Sequence, residues 1–357
     1  MDNKTIMQFF EWYLPDNGLL WKRCAAQAGA LKKAGVTSLW LPPAYKGAGG
    51  PHSVGYDVYD TYDLGEFDQK GSVATKYGSR KDYEAAVKAL QKEGIEVLAD
   101  VVLNHMMGAD ATEKIRVVET SGSNRQQQTS GEKEIDAWTS FTFPGRGDRY
   151  CSHHWSGPNF SGMDWDDASK KNAIYRLAGK GWDQDTDKEN GNYDYLMGVD
   201  LDMGNPDTVK AVTDWGKWYL DTISPDGFRL DAVKHISFDF YRDWLKEMRA
   251  HAGRDFFVVG EYWSKELGAM TNYLDCLENS LSLFDVTLHF NFLHAATSNG
   301  NFDMGGIWNG SLTQVRPMNA VTFVDNHDTQ PGQALQSFIP AWFKPIAYAL
   351  ILLGNQG

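Results

Sequence analysis

Cysteine is scarce. Cys24, Cys151 and Cys276 are the only three in 357 residues, too far apart to frame a disulfide scaffold or a zinc site. They read as buried, inert thiols. Long apolar runs are also missing: the longest, IAYALILLG, falls well short of a membrane span. Clustered positive charge is absent too. Against 47 acidic residues stand 34 basic ones, a formal net charge of −13. That excludes nucleic acid and anionic membrane surfaces as expected partners, since both need grouped Lys and Arg. The opening MDNKTIMQFFEWYLP has no basic segment, and Glu11 interrupts its apolar stretch, so no signal peptide is read there. A cytoplasmic location is the expectation, although a secreted chain with its leader removed has the same features. No H-x-H or H-E-x-x-H pattern occurs, and GAGGPHSVG lacks the phosphate-loop spacing. Metal-dependent hydrolase and nucleotide chemistry are therefore disfavoured.

What is present is a large core and many aromatics. Apolar residues make up 42% and aromatics 13%, with 13 tryptophans. Such rings serve both large cores and stacking on sugars. Seven short apolar runs read as strands: IMQFFEWY, VTSLWLP, IEVLADVVLN, DGFRLDAV, DFFVVGEYW, LFDVTLHF and AVTFVDNHD. Between them lie amphipathic segments. LWKRCAAQAGALKKAG stops at Gly35, SRKDYEAAVKALQKEG runs from an N-cap at Ser79 to a stop at Gly94, and PDTVKAVTDWGKWYLDTI is a third. The alternation predicts parallel βα units and, with seven strands, an α/β fold of the (β/α)8 TIM-barrel type. From 105 to 206 both periodicities fade, and a loop that long is unlike a compact domain. A domain inserted after the third strand is expected there, dividing the barrel into 1–104 and 207–357. After the seventh strand comes one apolar helix, IPAWFKPIAYALILLGNQG. An eighth strand is missing, and seven parallel strands alone leave two open edges.

Three of the predicted strands turn polar only at their ends, in Asp231, Glu261 and Asp328. In a barrel those ends share one rim, so the three carboxylates converge although they are far apart in sequence. Glycoside hydrolysis needs such a set: one carboxylate attacks the anomeric carbon and one acid protonates the leaving oxygen. Arg229, two residues before Asp231, shares its face of the strand and favours the ionised form. Glu261 follows FFVVG and precedes Tyr262 and Trp263, an apolar setting that suits a carboxyl holding its proton. Asp231 is therefore the better nucleophile and Glu261 the better acid.

In order along the chain, DVVLNH, GFRLDAVKH, GEYW and FVDNHD resemble the four signature motifs of the alpha-amylase family, glycoside hydrolase family 13. GYDVYD and NGNYDYLMGVDLD extend the resemblance, which is strongest to the liquefying bacterial enzymes and their intracellular relatives. It implies endo-hydrolysis of internal α-1,4-glucosidic bonds in starch, glycogen and related glucans, with retention of configuration. Asp231 is then nucleophile, Glu261 acid/base, and Asp328 the carboxylate that holds the distorted sugar. Arg229 positions Asp231, His105 and His327 bond sugar hydroxyls, and Tyr56 stacks beneath the ring. Lys234 and His235 line the leaving-group side, with Trp263 beside the acid. The resemblance further implies one Ca2+ ion held by Asn104, Asp194, Asp200 and the backbone carbonyl of His235. Related secreted enzymes add metals through a carboxylate where this chain has Ser161. Asp183 and Asp202 remain, a reduced set that weakens the case for further metals. The family closes its barrel with an eighth strand and adds a C-terminal β-sandwich domain, both missing here. A monomer acting on an α-glucan, without nucleic acid or membrane, is expected. A family-13 transglycosylase, an exo-glucosidase and an inactive glucan-binding fragment are the alternatives.

Overall fold

The computed structural model describes residues 3–354. Seven strands form one all-parallel sheet in sequence order: Ile6–Gln8, Ser38–Leu41, Glu96–Val101, Gly227–Leu230, Phe257–Gly260, Ser282–Phe284 and Ala320–Val321. They are counted below as the first to the seventh. The central strands are buried on both faces, Ser38–Leu41 and Gly227–Leu230 throughout, as a sheet covered by helices requires. Their covers carry apolar stripes. Leu20–Lys33 buries Leu20, Trp21, Cys24, Ala28 and Leu31, and Arg80–Lys92 buries Tyr83, Ala86, Val87 and Leu90. Helix boundaries follow local chemistry. The Ser79 hydroxyl accepts from Asp82 N at 3.2 Å, and Gly94 takes a φ of +69° just past the helix end. Asn205 caps Pro206–Ile223 through Asp207 N at 2.9 Å.

The sheet curls on itself. Trp40 in the second strand packs on Phe284 in the sixth, with ring centroids 5.4 Å apart. Beyond the first strand, Trp12 N donates to Gln330 Oε1 at 3.0 Å, and the Tyr13 hydroxyl donates to Pro331 O at 2.7 Å. The segments following the first and seventh strands are thus joined by side-chain contacts.

Several expectations change. LFDVTLHF is not one strand: the sixth strand ends at Phe284 and a helix runs Val286–Thr297. Asp285 is the reason. Its carboxylate accepts from Leu288 N at 2.9 Å and captures Thr313 N at 2.8 Å, which ends the strand and starts the helix. Asp328 does not end the seventh strand, which stops at Val321; it sits in an irregular segment beyond. Residues 105–206 are not free of periodicity. Six strands there, led by Ala111–Thr120 and Lys133–Ser140, form an antiparallel sheet that lies in the chain between the third and fourth parallel strands. Of the cysteines only Cys24 is buried; Cys151 is half-buried and Cys276 exposed.

Candidate active site

Arg229 is the centre of the site. It lies on the fourth strand, paired with Asp100 on the third and Val259 on the fifth, so its neighbours' side chains reach it from both sides. Its side chain is fully buried. Nη1 donates to Asp100 Oδ1 at 2.9 Å and to Asp231 Oδ1 at 2.6 Å, while Nη2 donates to Glu261 Oε2 at 2.5 Å. The guanidinium lies over the Trp40 ring at 4.8 Å and the Tyr56 ring at 5.7 Å. Asp100 Oδ2 also accepts from Trp40 Nε1 at 2.9 Å and Tyr56 Oη at 2.8 Å. One cation therefore faces three carboxylates. The reading of Arg229 as a partner of Asp231 alone is too narrow, and Glu261 sits beside a charge rather than in a purely apolar setting.

Burial dominates the titration of the cluster. It pushes Asp231 up to about 6 against the pull of Arg229. Glu261 is also raised by burial and by the charge of Asp231, with Arg229 opposing. Asp231 and Glu261 meet on the same guanidinium. Asp328 is raised to about 8 by burial and by Glu261. Such a pair holds one proton readily and resists losing both. It can offer a carboxylate and an acid side by side.

Around the cluster lies a wall of rings. His327 stacks on Tyr56 with centroids 4.9 Å apart and 8° between planes, and Trp12 runs parallel to Tyr56 at 6.1 Å. Both His327 nitrogens are buried without a hydrogen-bond partner among the described residues, although Nε2 lies 3.3 Å from Asp328 Oδ2. Burial and Arg229 push its pKa far down, so the ring is neutral. Other predicted contacts are already engaged. His105 Nε2 donates to Tyr56 O at 2.8 Å and Nδ1 faces Asn104 Nδ2 at 3.3 Å, so the ring supports the Tyr56 backbone. Lys234 Nζ donates to Glu189 Oε2 at 2.7 Å. His235 Nδ1 donates to Tyr193 O at 2.7 Å, and burial with Lys234 pushes the ring down to about 3. Trp263 packs on Phe290 at 5.9 Å and Phe323 at 6.3 Å, half-buried.

Asn104 and acidic residues between 183 and 202 form a second polar region. Asn104 is buried and its Oδ1 has no partner among the described residues. Asp194 Oδ2 accepts from Asp183 N at 2.9 Å, Asp200 accepts from the Ser161 hydroxyl, and both are buried. Burial raises both well above the usual carboxylate range, with added repulsion from Asp200 and Asp183 on Asp194 and from Asp183 and Asp202 on Asp200. Asp183 is raised to about 7 by burial and then by Asp202. Asp202 is held by Lys180 Nζ at 2.5 Å. Among the described residues, no three Asp, Glu, His or Cys side chains surround one point as a ligand set.

Sequence reasoning missed Asp100, Trp12, Trp40, Glu189 and Gln330. A signal existed for Asp100: it is an acid inside the apolar run VLADVV, where a charge needs a buried partner. Nothing local marks the others.

A model of the alpha-amylase catalytic domain matches residues 27–336. The chain belongs to the alpha-amylase family. It is 52% identical to a glucan 1,4-alpha-maltohexaosidase of Bacillus sp. (strain 707), over 99% of this chain and 69% of that protein. It is 44% identical to the cytoplasmic alpha-amylase of Escherichia coli (strain K12), over 100% of this chain and 73% of that protein. A solved alpha-amylase I variant from Eisenia fetida, in complex with maltohexaose, matches with a TM-score of 0.62 at 18% identity. That match covers 99% of this chain and 64% of the other, and it speaks for the fold. As a member of the family the chain is a glycoside hydrolase that cuts internal α-1,4-glucosidic bonds.

Proposed function

We propose that the chain hydrolyses starch, glycogen and related glucans by a retaining double displacement centred on Asp231 and Glu261. The observation that carries this reading is the buried Arg229, bonded at once to Asp231 and Glu261 at the ends of adjacent strands. Asp231 attacks the anomeric carbon and forms a glycosyl ester, while Glu261 gives its proton to the departing oxygen. Water then attacks the ester, and Glu261 takes back a proton as Asp231 leaves. Arg229 holds both carboxyls in place and balances the charge that moves between them. Asp328 and His327 face the same sugar, with Tyr56 and Trp12 as its apolar wall. Asp100 fixes Arg229 from behind. Lys234, His235 and Trp263 bound the leaving-group side.

The test uses maltoheptaose blocked at its non-reducing end, followed by NMR from the first minute. Cleavage that first gives the α-anomer is the expected result. Products beginning with the β-anomer would overturn retention. Glucose released only from unblocked chains would favour an exo-glucosidase, and chains longer than the substrate would favour a transglycosylase.

One Ca2+ ion belongs to this reading. Asn104 Oδ1, Asp194, Asp200 and the His235 carbonyl would hold it, and such hard oxygen donors suit calcium. The unpartnered Asn104 Oδ1 and the two crowded, buried carboxylates support it. When bound, calcium would neutralise those charges and tie the 105–206 domain to the two barrel parts, 1–104 and 207–357. Further metals are not proposed, because the Lys180 ammonium already rests on Asp202, Phe160 O at 2.9 Å and Pro158 O at 2.6 Å. Calcium at about 100 times its dissociation constant should stabilise the fold by about 2.7 kcal/mol, several degrees in Tm. Asp200→Asn should abolish that shift; an Asp200→Asn protein that still gains stability from calcium would count against the site. A monomer acting in the cytoplasm completes the reading. The E. coli relative is named cytoplasmic, and among the described residues no helix is long and apolar enough to cross a membrane.

A further inference from the structure

Asp328 and His327 sit in an irregular segment, and irregular backbone does not place a carboxylate by itself. Local bonds shape part of it. Asn326 Oδ1 accepts from Asp328 N at 3.0 Å and Thr329 N at 2.9 Å, a tight turn that aims the Asp328 side chain. That turn still has to be fixed to the barrel. One buried side chain does so from outside the reacting groups. His289 lies on the helix Val286–Thr297, which Asp285 starts directly after the sixth strand. The residue is fully buried.

Its ring holds the segment at two points. Nδ1 donates to Val324 O at 2.7 Å, upstream of Asp328. Nε2 lies 2.8 Å from the Ser337 hydroxyl, downstream of it. Ser337 N in turn donates to Thr329 O at 3.1 Å, the residue next to Asp328. The face of the ring stacks on Phe323, with centroids 5.1 Å apart and 8° between planes. The carbonyl at Val324 fixes the proton on Nδ1, and the single proton of the Ser337 hydroxyl is shared between Nε2 and the Leu335 carbonyl, each 2.8 Å away. Burial keeps the ring neutral, in agreement with that pattern. A helix-borne side chain thus grips both flanks of the turn and, through Ser337, the residue beside the carboxylate.

We infer that His289 is a positioning residue for Asp328: it sets the turn that carries the third carboxylate without touching substrate. The inference rests on the proposed role of Asp328. It predicts that His289 acts on turnover through Asp328 and not through general stability.

The test is a double-mutant cycle on kcat and KM for maltoheptaose. His289→Phe keeps an aromatic ring against Phe323 and removes both hydrogen bonds. The expected result is a loss in kcat of at least about tenfold, with KM changed by less than about threefold. In an Asp328→Asn background the same substitution should cost less than about twofold, because the group it positions is already disabled. Ser337→Ala removes one of the two grips and should show a smaller kcat loss, likewise absent beside Asp328→Asn. It serves as the second variant if His289→Phe does not melt cooperatively. Losses that multiply in the double variants would overturn the inference and leave the reading of Asp328 standing. Unchanged kcat in both single variants would do the same. An Asp328→Asn protein with full kcat would instead overturn the role of Asp328, and His289 would lose its part with it.

Discussion

A Glu261→Gln protein should bind glucan and cut it about 10⁴ times more slowly, at the upper end of what one general acid contributes. Gln has nearly the shape of Glu, and its amide oxygen still accepts from Arg229 Nη2, the bond seen at 2.5 Å. What it lacks is the proton for the leaving oxygen. KM should therefore stay within a few-fold while kcat falls. A glucan carrying a nitrophenol leaving group, which departs without help, should lose far less in the first step. Stability should not drop, because the substitution removes one of three carboxylates around a single guanidinium. Steady-state rates on both substrates, with a melt of each protein, decide the matter. A protein that kept more than a tenth of its rate on starch would sink the assignment of Glu261 as the acid.

Arg229→Met should be the most damaging change to the fold. It leaves Asp100, Asp231 and Glu261 buried together with no cation. Removing one partner of a buried pair costs about 3–5 kcal/mol, and here three partners are left behind. The sign of the pH effect follows from the direction of the shifts. All three carboxyls already sit above their ordinary values. Without the arginine they rise further. Carboxyls raised in the folded state contribute stability that is present below their unfolded values and lost as pH rises through the folded ones. The loss should therefore be larger at pH 8 than at pH 5. Lysine should not rescue: one ammonium cannot span two carboxyls as the guanidinium fork does. Urea unfolding at both pH values measures this, and equal losses at the two would contradict the account.

Much of the site was legible because chemistry and strand ends coincide. Asp231 and Glu261 follow directly on Leu230 and Gly260, where an apolar run turns polar. Arg229 was legible by the two-residue period of a strand, and its bond to Asp231 follows from that period. Helix boundaries at Ser79 and Gly94 were equally local. Several of the misses share one cause, a partner distant in sequence. LFDVTLHF looks like a strand until Asp285 captures Thr313 N. His105 looks free until it meets the Tyr56 carbonyl, and Lys234 until it meets Glu189. The antiparallel sheet was a different failure. KEIDAWTS buries Ile135, Ala137 and Thr139 in strict alternation, a period of two blurred in the sequence by a polar Thr139 on the inner face and an apolar Trp138 on the outer one.

The bond from Trp12 N to Gln330 spans 318 positions of chain. A contact of that range carries a large loop-closure cost, which the structure formed within the loop must offset. The stacked rings Trp12, Tyr56 and His327 stand on either side of that seam. The ring stack is therefore complete only when the segments around residues 12 and 56 have met the segment around residue 327.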